Sequence, residues 1–249
     1  MAEFLYRRNV VLETLRAGRR DLRRLLVAED ADRQALAELL AEAGRRNLRV
    51  ETRPAKELNQ LSHGDNHQGV AVEVGLYPYA EFDEPFELAQ AAGEPPLLLL
   101  LDQVQDPANV GRLLRTAEAC GVHGVFLPDR GSGEITPAVV TASMGASEHM
   151  RVVRVNNLAQ TVDLLKRSEI WIAGLDLSPA AQIFGQVDLN RPLGIVLGNE
   201  GAGLRRLVRD KCDFLLRLPM RGRVGSLNVA IAGSIVLYAA WQARGFRRG

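Results

Sequence analysis

The sequence predicts an α/β protein in two parts, a small N-terminal α/β domain and a larger C-terminal α/β domain built on a parallel sheet. Short apolar segments alternate with helical patterns through most of the 249 residues, which is typical of strands connected by helices. Residues 97–101 are five consecutive leucines, as expected of a strand buried on both faces of a parallel sheet. The composition, 47% hydrophobic and 24% charged, is that of an ordinary globular protein.

Residues 1–75 are predicted to form the small N-terminal α/β domain. Its first helix has an apolar face that includes Val10 and Leu15, and it ends at Gly18. The other elements predicted here are strands over residues 25–27, 48–52 and 69–74, a helix over residues 30–44, and a short helix opened by Pro54. Residues 7–24 hold seven arginines against two acids, which favours contact with nucleic-acid phosphates. For any single arginine, a solvated basic face is at least as good an interpretation.

Residues 76–96 are predicted to be a linker between the two domains or a strap that covers one of them. The stretch 75–96 contains five acids and four prolines and lacks both lysine and arginine. Such a shift in composition is typical of a segment between domains.

Residues 97–249 are predicted to form the larger domain. The elements expected after the leucine strand are helix 108–119, strand 122–127, helix 137–143, strand 150–155, helix 158–167, strands 170–175 and 193–197, helix 203–209, strand 214–218 and a final helix after residue 228. Pro219 ends the last strand because it lacks the N–H that an interior strand position needs. Ser226 is predicted to cap the final helix by accepting a hydrogen bond from an N–H of the first turn.

Two polar loops follow buried strands of this domain, where open α/β sheets usually bind ligands. The first loop leads into a helix that carries Asn109 and Arg115. The second reads Gly-Asn-Glu-Gly-Ala-Gly over residues 198–203, so glycines flank the carboxylate of Glu200 and let backbone approach a ligand. Ordinary roles stay open at this point: Asn109 as a helix cap, Arg115 as a solvated charge and Glu200 as part of a tight turn.

A third polar loop joins the last strand to the final helix. It contains Gly222 and Gly225 and ends in Ser226, Leu227 and Asn228. A strand, a glycine-containing loop and a helix start together present backbone donors and acceptors at the rim of a pocket. An ordinary strand–loop–helix turn is the alternative.

Residue usage disfavours several classes of function. Cys120 and Cys212 are the two cysteines and lack metal-ligand spacing, which argues against a disulfide scaffold or a zinc site and fits a reducing cytoplasm. No apolar run reaches the length of a membrane span and no signal core is recognisable, so a cytoplasmic location is expected. The formal net charge is only +1, so nucleic-acid contacts must come from local patches. Common hydrolase, metalloprotease and P-loop motifs are absent, and the four histidines lack metal-like pairing, so no metal is expected.

Taken together, the three loops resemble the motifs of the SpoU branch of the SPOUT RNA methyltransferases. The stretches that carry the resemblance are DPANVGRLLRTAEACGVHGVFLP, IVLGNEGAGL and LPMRGRVGSLNVAIAGSIVLY, and together they cover about residues 97–243. Residues 1–75 resemble, more loosely, the small substrate-binding domain of ribosomal-RNA ribose methyltransferases, through NVVLETL and HQGVA. Where that family usually has a glycine before the first helix, this chain has Arg7-Arg8-Asn9.

The resemblance implies a fold, a methyl donor and a reaction. The C-terminal domain would be a SPOUT α/β-knot, with a deep trefoil knot, and the N-terminal domain would be L30e-like. The protein would be a homodimer with its active site near the subunit interface. The donor would be S-adenosylmethionine, no metal would be needed, and the product would be a 2′-O-methylated ribose, with a guanosine of 23S ribosomal RNA as the expected target.

The resemblance also implies roles for individual residues. The catalytic positions are Arg115, Asn109, Glu200, Ser226 and Asn228. The donor-binding positions are Gly198, Leu218, Met220 and Leu227. Because a guanidinium stays protonated, Arg115 is expected to bind the target phosphate and stabilise charge on the 2′-oxygen rather than to act as a base.

Three alternatives are weighed against this interpretation. The nearest is a 2′-O-methyltransferase of the same family that acts on transfer RNA. A non-catalytic RNA-binding module is disfavoured because the five catalytic positions occur together. A Rossmann-type nucleotide-binding enzyme is disfavoured because residues 102–107, after the leucine strand, are not glycine-rich.

Overall fold

The computed structural model describes residues 2–129, 131 and 133–246. The helices are α1 (Arg8–Ala17), α2 (Ala37–Arg45), α3 (Ala55–Leu61), α4 (Glu84–Ala92), α5 (Pro107–Ala119), α6 (Pro137–Ala142), α7 (Leu158–Arg167), α8 (Arg206–Lys211) and α9 (Val229–Ala243). The strands are β1 (Glu3–Tyr6), β2 (Leu22–Ala28), β3 (Arg49–Arg53), β4 (Val70–Val74), β5 (Leu97–Leu101), β6 (Gly124–Pro128), β7 (Val152–Val155), β8 (Trp171–Leu175), β9 (Gln182–Ile183), β10 (Leu193–Leu197) and β11 (Phe214–Arg217). Short 3₁₀ helices lie at Ala146–His149 and Phe184–Gln186.

The chain divides into two compact units, and the first combines Met1–Pro78 with Ile135–His149. Its sheet has the order β1-β4-β2-β3, in which β2 pairs parallel with β3 and antiparallel with β4. Leu26, Leu58 and Ala71 form a small core, against which the aromatic side chains of β1 pack. The unit is therefore an α/β sandwich that includes α6, a helix far away in the sequence.

The second unit combines Tyr79–Glu134 with Met150–Gly249. Its seven strands have the order β7-β6-β5-β10-β8-β11-β9, and every strand pair is parallel. All five leucines of β5 are buried, because helices cover both faces of the sheet. The chain of the second unit thus brings the carboxyl ends of β5, β8, β10 and β11 to one edge.

Helices α5 and α9 pack together on one face of this sheet. Gly233 of α9 lies close to both the sheet and α5. A Cβ there would come within 2.4 Å of Leu197 of β10 and within 2.7 Å of Leu113 of α5. On the other face, Leu98 and Leu100 pack in one core cluster with Val162 of α7 and Val208 of α8. Packing against the sheet and against each other fixes the positions of α5 and α9, which border the polar loops.

The predicted α/β class with a parallel C-terminal sheet is confirmed, and several boundaries differ. Helix α2 begins at Ala37 rather than at residue 30, because Asp32 accepts hydrogen bonds from the N–H groups of Gln34 and Ala35 and holds a turn. The last predicted short helix is α8, which begins at Arg206 rather than at residue 203. Strand β1 was not predicted. The trefoil knot stays a prediction.

Helix α4 lies inside the stretch 76–96 that was expected to be a linker. Pro85 stands in its first turn, together with the acidic Glu84 and Glu87. Proline and acids are both favoured at a helix start, the acids because they complement the positive end of the helix dipole. The residues that suggested a linker therefore stabilise a helix.

Within the residues that the structure describes, no helix is both long and apolar enough to cross a bilayer.

Candidate functional site

The polar loops predicted from the sequence meet at the carboxyl edge of the seven-stranded sheet. Strand β10 lies between β5 and β8, with Leu197 level with Leu101 and Val196 level with Gly174. The loops that follow these strands are consequently neighbours although residues 102 and 198 are far apart in sequence. The loop that follows β11 joins them, since β11 pairs with β8.

These loops enclose a pocket of about 250 Å³. Every predicted donor-binding residue lines it, together with two of the predicted catalytic residues: Gly198, Leu218, Met220, Leu227, Glu200 and Ser226. The walls combine apolar side chains with the backbone of a glycine-containing loop. Such a surface suits a flat, partly polar ligand that hydrogen-bonds to main-chain groups.

The loop over residues 198–203 closes on itself. Asn199 and Gly203 exchange backbone hydrogen bonds of 3.0 and 2.9 Å, and Gly203 has a φ of +69°. A Cβ on Gly198 would lie 2.2 Å from the carbonyl carbon of Gly203, so no side chain fits there. The Asn199 side chain ties the loop to the neighbouring one by donating to the Gln103 carbonyl at 3.1 Å.

Asp102 anchors the other end of the same loop, and sequence reasoning gave it no role. Its carboxylate is fully buried and accepts from the Arg205 backbone N–H at 2.8 Å and from Arg205 Nε at 2.6 Å. This contact holds residue 205 extended, which explains why α8 begins only at Arg206. The sequence signal for this role was an acidic residue directly after an all-leucine strand, because a charge buried at that position needs a partner.

Asn228 connects three parts of the site. Its side-chain oxygen accepts from the N–H groups of Ala230 and Ile231 at 2.9 and 3.3 Å, so Asn228 caps α9. Its Nδ2 donates to Asn109 Oδ1 at 2.9 Å and also to Glu200 Oε1. The structure therefore joins three of the predicted catalytic residues through one amide.

The prediction that Ser226 caps the final helix is wrong. Ser226 is exposed and lines the pocket, while the cap is Asn228, two residues later. Asn109 is likewise not the cap of its helix. Asp106 has that role, because its carboxylate accepts from the N–H groups of Ala108 and Asn109. Asn109 is thus free to face Asn228 from a buried position.

Arg115 lies on α5, two turns beyond the helix start, and its side chain is exposed. It does not line the pocket. Among residues 2–129, 131 and 133–246 it has no hydrogen-bond or ion-pair partner. Its guanidinium is therefore available to a ligand outside this pocket.

The pocket also includes residues that sequence reasoning did not identify, namely Leu175, Asp176 and Leu177 at the end of β8. Burial raises the pKa of Asp176, but hydrogen bonds from Ser178 and the guanidinium of Arg209 outweigh it, so the pKa is lowered. Asp176 is consequently a fixed negative charge at neutral pH. Its position immediately after a predicted strand was the signal that could have found it.

The cysteines do not supply a nucleophile near this site. Burial raises the pKa of the Cys212 thiol to about 12 and that of Cys120 to about 11, so both stay protonated at neutral pH. In the described part of the chain, no group of three or more His, Cys, Asp or Glu side chains is arranged to hold a metal ion.

A parallel α/β sheet whose glycine-containing loops enclose a pocket at the carboxyl edge defines a class, the α/β proteins that bind a small molecule at that edge. Sequence comparison identifies the family. The model of the SpoU rRNA Methylase family matches residues 96–238, and the model described as RNA 2'-O ribose methyltransferase substrate binding matches residues 4–80. The chain belongs to the SpoU rRNA methylase family, and the resemblance seen in its sequence is confirmed.

Relatives of similar length support this assignment. A Bacillus subtilis protein assigned to the TrmH family of tRNA/rRNA methyltransferases is 40% identical, over 97% of this chain and 96% of its own length. A Staphylococcus aureus protein with the same assignment is 39% identical over 95% of this chain and 94% of its own length.

Solved structures share the fold. An RNA methyltransferase of the TrmH family from Porphyromonas gingivalis superposes with a TM-score of 0.77 at 29% identity, covering 98% of this chain and 90% of its own. The SpoU methyltransferase AviRb from Streptomyces viridochromogenes, crystallised with AdoMet, has a TM-score of 0.80 at 24% identity over 99% of this chain and 92% of its own.

Proposed function

We propose that this protein is an S-adenosylmethionine-dependent RNA 2′-O-ribose methyltransferase that acts in the cytoplasm on a guanosine of 23S ribosomal RNA. One observation carries the proposal: the pocket at the carboxyl edge collects all the predicted donor-binding residues, and Glu200 in its wall is linked through Asn228 to Asn109. Membership of an RNA methyltransferase family supports the reaction class. We further propose that residues 1–75 select the RNA, as the match of residues 4–80 to a substrate-binding model supports.

The lining of the pocket suits the chemistry of S-adenosylmethionine. Gly198 lines the pocket and has no side chain, so its main-chain groups can face an adenine edge. Leu218, Met220 and Leu227 would hold the adenine ring through apolar contact. When bound, the donor would supply an electrophilic methyl group to the 2′-oxygen and leave as a neutral thioether, so the protein needs no acid for the leaving group. The proton of the 2′-hydroxyl would pass to water.

The protein's own residues position the RNA and manage charge. Arg115 has a free guanidinium, which can pair with a phosphate through two hydrogen bonds and stabilise negative charge that develops on the 2′-oxygen. Asn109 and Glu200, both held by Asn228, keep the loop over residues 198–203 in register with α9. Holding these loops fixed aligns the sugar oxygen with the methyl donor.

Ribosomal RNA is favoured over transfer RNA by the N-terminal unit. That unit presents basic side chains, and its sequence matches a model of substrate binding by ribose methyltransferases. The test is to map 2′-O-methyl sites in ribosomal and transfer RNA from a strain that lacks this protein. Loss of a single ribosomal guanosine methylation is expected. Loss confined to a transfer RNA would replace the proposed substrate, and no change at all would contradict the reaction.

Replacing Arg115 by alanine tests the catalytic assignment. We expect methyl transfer to fall by about 100-fold or more, because the variant loses a hydrogen-bond donor to the negative charge that develops on the 2′-oxygen. The affinity for S-adenosylmethionine should stay unchanged, since Arg115 does not line the pocket. The matched control is Arg112→Ala, which removes another exposed arginine of α5. Equal loss in both variants, or loss of donor binding in Arg115→Ala, would remove Arg115 from the mechanism.

We also propose that the protein is a homodimer that uses α9. Ile231, Ile235 and Tyr238 lie on one face of this helix and are 54, 38 and 47% exposed. Such an apolar stripe beside the pocket is costly to leave in water, and a second copy would cover it. Burial of this stripe against the second copy would place the two active sites near the interface.

Light scattering after gel filtration tests the dimer. The wild-type protein should have twice the chain mass of 27.3 kDa, and Ile235→Asp should elute at the chain mass because a carboxylate is costly to bury at the interface. Leu164→Asp, at an exposed leucine of α7, is the control and should stay dimeric. A monomeric wild-type protein would overturn the proposal.

A further inference from the structure

A second pocket, of about 630 Å³, lies within the first unit, well separated in the chain from the loops described above. We call it the β1–α6 pocket, and its lining includes the side chains of Phe4, Tyr6, Arg7, His63, Asp65 and Thr141. Three of these six are aromatic rings and one is a cation. None of them belongs to the proposed donor site.

Arg7 is the unusual residue of this pocket. Its φ of +80° lies in the region that favours glycine. The turn is held in place by Gln68, whose Oε1 accepts from the Arg8 N–H at 3.0 Å and whose carbonyl accepts from Arg8 Nε at 3.4 Å. A strained arginine that persists at such a position suggests that its side chain has a use.

The charge of Arg7 is not neutralised inside the protein. Its Nε is buried without a hydrogen-bond partner. Over the part of the chain that the structure describes, its guanidinium has no carboxylate within ion-pair distance. Arg7 lines the pocket, so a molecule bound there can supply an acceptor for its guanidinium. A phosphate oxygen is the acceptor that a guanidinium fork fits best after a carboxylate.

The rest of the wall suits a nucleobase. Tyr6 is half-buried, and its hydroxyl donates to Asp65 Oδ2 at 2.8 Å, which fixes the position of the phenol ring. Phe4 lies on the same strand two residues earlier, hence on the same face, and the exposed imidazole of His63 stands at the rim. Aromatic planes beside an arginine are how proteins hold unpaired bases, which stack on the rings while the backbone phosphate meets the cation.

We propose that the β1–α6 pocket is a subsite for one unpaired nucleotide of the substrate RNA, with Arg7 on its phosphate and its base against Tyr6 and Phe4. The proposal rests on the proposed function in one respect, that the substrate is RNA. It adds that the N-terminal unit reads a single-stranded position rather than only a charged backbone. Paired RNA cannot use the pocket, because its bases are stacked on each other.

The test compares Arg7→Gly with Arg33→Ala in the full-length protein. Glycine removes the guanidinium and also relieves the strained φ, so the variant should fold at least as stably as the wild type. Arg33→Ala removes an exposed arginine of the same unit that does not line the pocket. The probe is an unmodified 23S ribosomal RNA transcript, with a fully paired RNA duplex as comparison.

Arg7→Gly should weaken binding of the transcript about tenfold and reduce the slope of log affinity against log salt by about 0.7, one single-strand phosphate contact. Binding of the duplex and of S-adenosylmethionine should stay as in the wild type, and Arg33→Ala should bind the transcript within about twofold of it. A transcript that contains 4-thiouridine should cross-link to the peptide around Tyr6. His63→Ala, at the exposed rim, gives an independent variant and should also weaken binding of the transcript.

Two failures are distinguishable. In the first, the wild-type protein acts on transfer RNA but neither binds nor methylates the transcript. The target of the proposed function is then wrong, and comparing Arg7→Gly with Arg33→Ala in binding to transfer RNA decides the subsite. If the wild type methylates the transcript but Arg7→Gly and His63→Ala match Arg33→Ala in affinity, and cross-links map elsewhere, the subsite is wrong and the proposed function stands. An equal loss of duplex binding would show that Arg7 is only a general phosphate contact, which also overturns the subsite.

Discussion

Gly198 shows how a single residue shapes the candidate donor site. The backbone of Gly203 passes so close that the space of a methyl group is already taken by main-chain atoms. Backbone atoms cannot move aside as the end of a flexible side chain can. Gly222, in the loop that follows β11, has open space at its Cβ position and does not line the pocket.

These two glycines give a matched pair of substitutions. Gly198→Ala should open the loop over residues 198–203 and reduce the affinity for S-adenosylmethionine by at least about tenfold, since overpacking typically costs 1–3 kcal/mol. Gly222→Ala should bind the donor within about twofold of the wild type. Isothermal titration calorimetry measures both. If the two variants bind equally well, the closed loop does not support the donor pocket.

Single residues also show which parts of the site could be predicted from the sequence. Gly198, Glu200, Leu218 and Met220 belong to contiguous motifs, and the structure brings them to one pocket. Ser226 and Asn228 were harder to tell apart, because both side chains can cap a helix and only two residues separate them. Which one does so depends on where the loop ends in space, and that information is not local.

At the scale of elements, Asn228 has two functions that can be separated. Its side-chain oxygen caps α9, while its amide donates to Glu200 and Asn109. Serine keeps an acceptor for the cap but has no amide that reaches both partners. Alanine has neither.

Asn228→Ser and Asn228→Ala should therefore differ in stability but not in activity. The alanine variant should lose about 1 kcal/mol of the free energy of unfolding through loss of the cap, and the serine variant only a few tenths. Methyl transfer should fall to a similar extent in both. Thermal unfolding and a methyl-transfer assay measure the two effects, and full activity of Asn228→Ser would show that the amide contacts are dispensable.

Element prediction succeeded where a segment buries one face or both. The leucine strand and the amphipathic α5 and α7 were predicted within a few residues of their bounds, since burial imposes the period of the pattern. Helix α4 was missed because its acids and prolines are also typical of linkers. Strand β1 was missed because only Leu5 is fully buried and its alternation is too short to detect.

At the scale of the whole molecule, the first unit depends on residues that are distant in the chain. Arg20 is fully buried and forms a two-pronged contact with Glu148, at 2.9 Å from Nε and 3.0 Å from Nη2. A further bond of 2.6 Å joins Arg20 to Glu3. No sequence pattern pairs residue 20 with residue 148, because a long-range ion pair leaves no periodic signal.

Breaking this buried pair should destabilise the first unit. Arg20→Met and Glu148→Leu each leave a buried charge without its main partner, which costs roughly 3–5 kcal/mol, whereas the double variant should recover most of that loss. Arg16→Met is the control, since its ion pair with Glu38 is largely exposed and contributes less than about 1 kcal/mol. Hydrogen exchange of the β2 and β4 amides measures the effect. Additive losses in the double variant would mean that the two charges do not act as a pair.

The central position of β10 has a consequence for how the protein is made. Strand β5 is synthesised long before β10 and β8 shortly before it, yet β10 is the strand that lies between them. Until it arrives, two nascent strand edges stay unsatisfied, and such edges attract other chains. Synthesis from the amino end thus delivers the middle of this sheet after both of its neighbours, and the edge of β5 that receives β10 stays unpaired the longest.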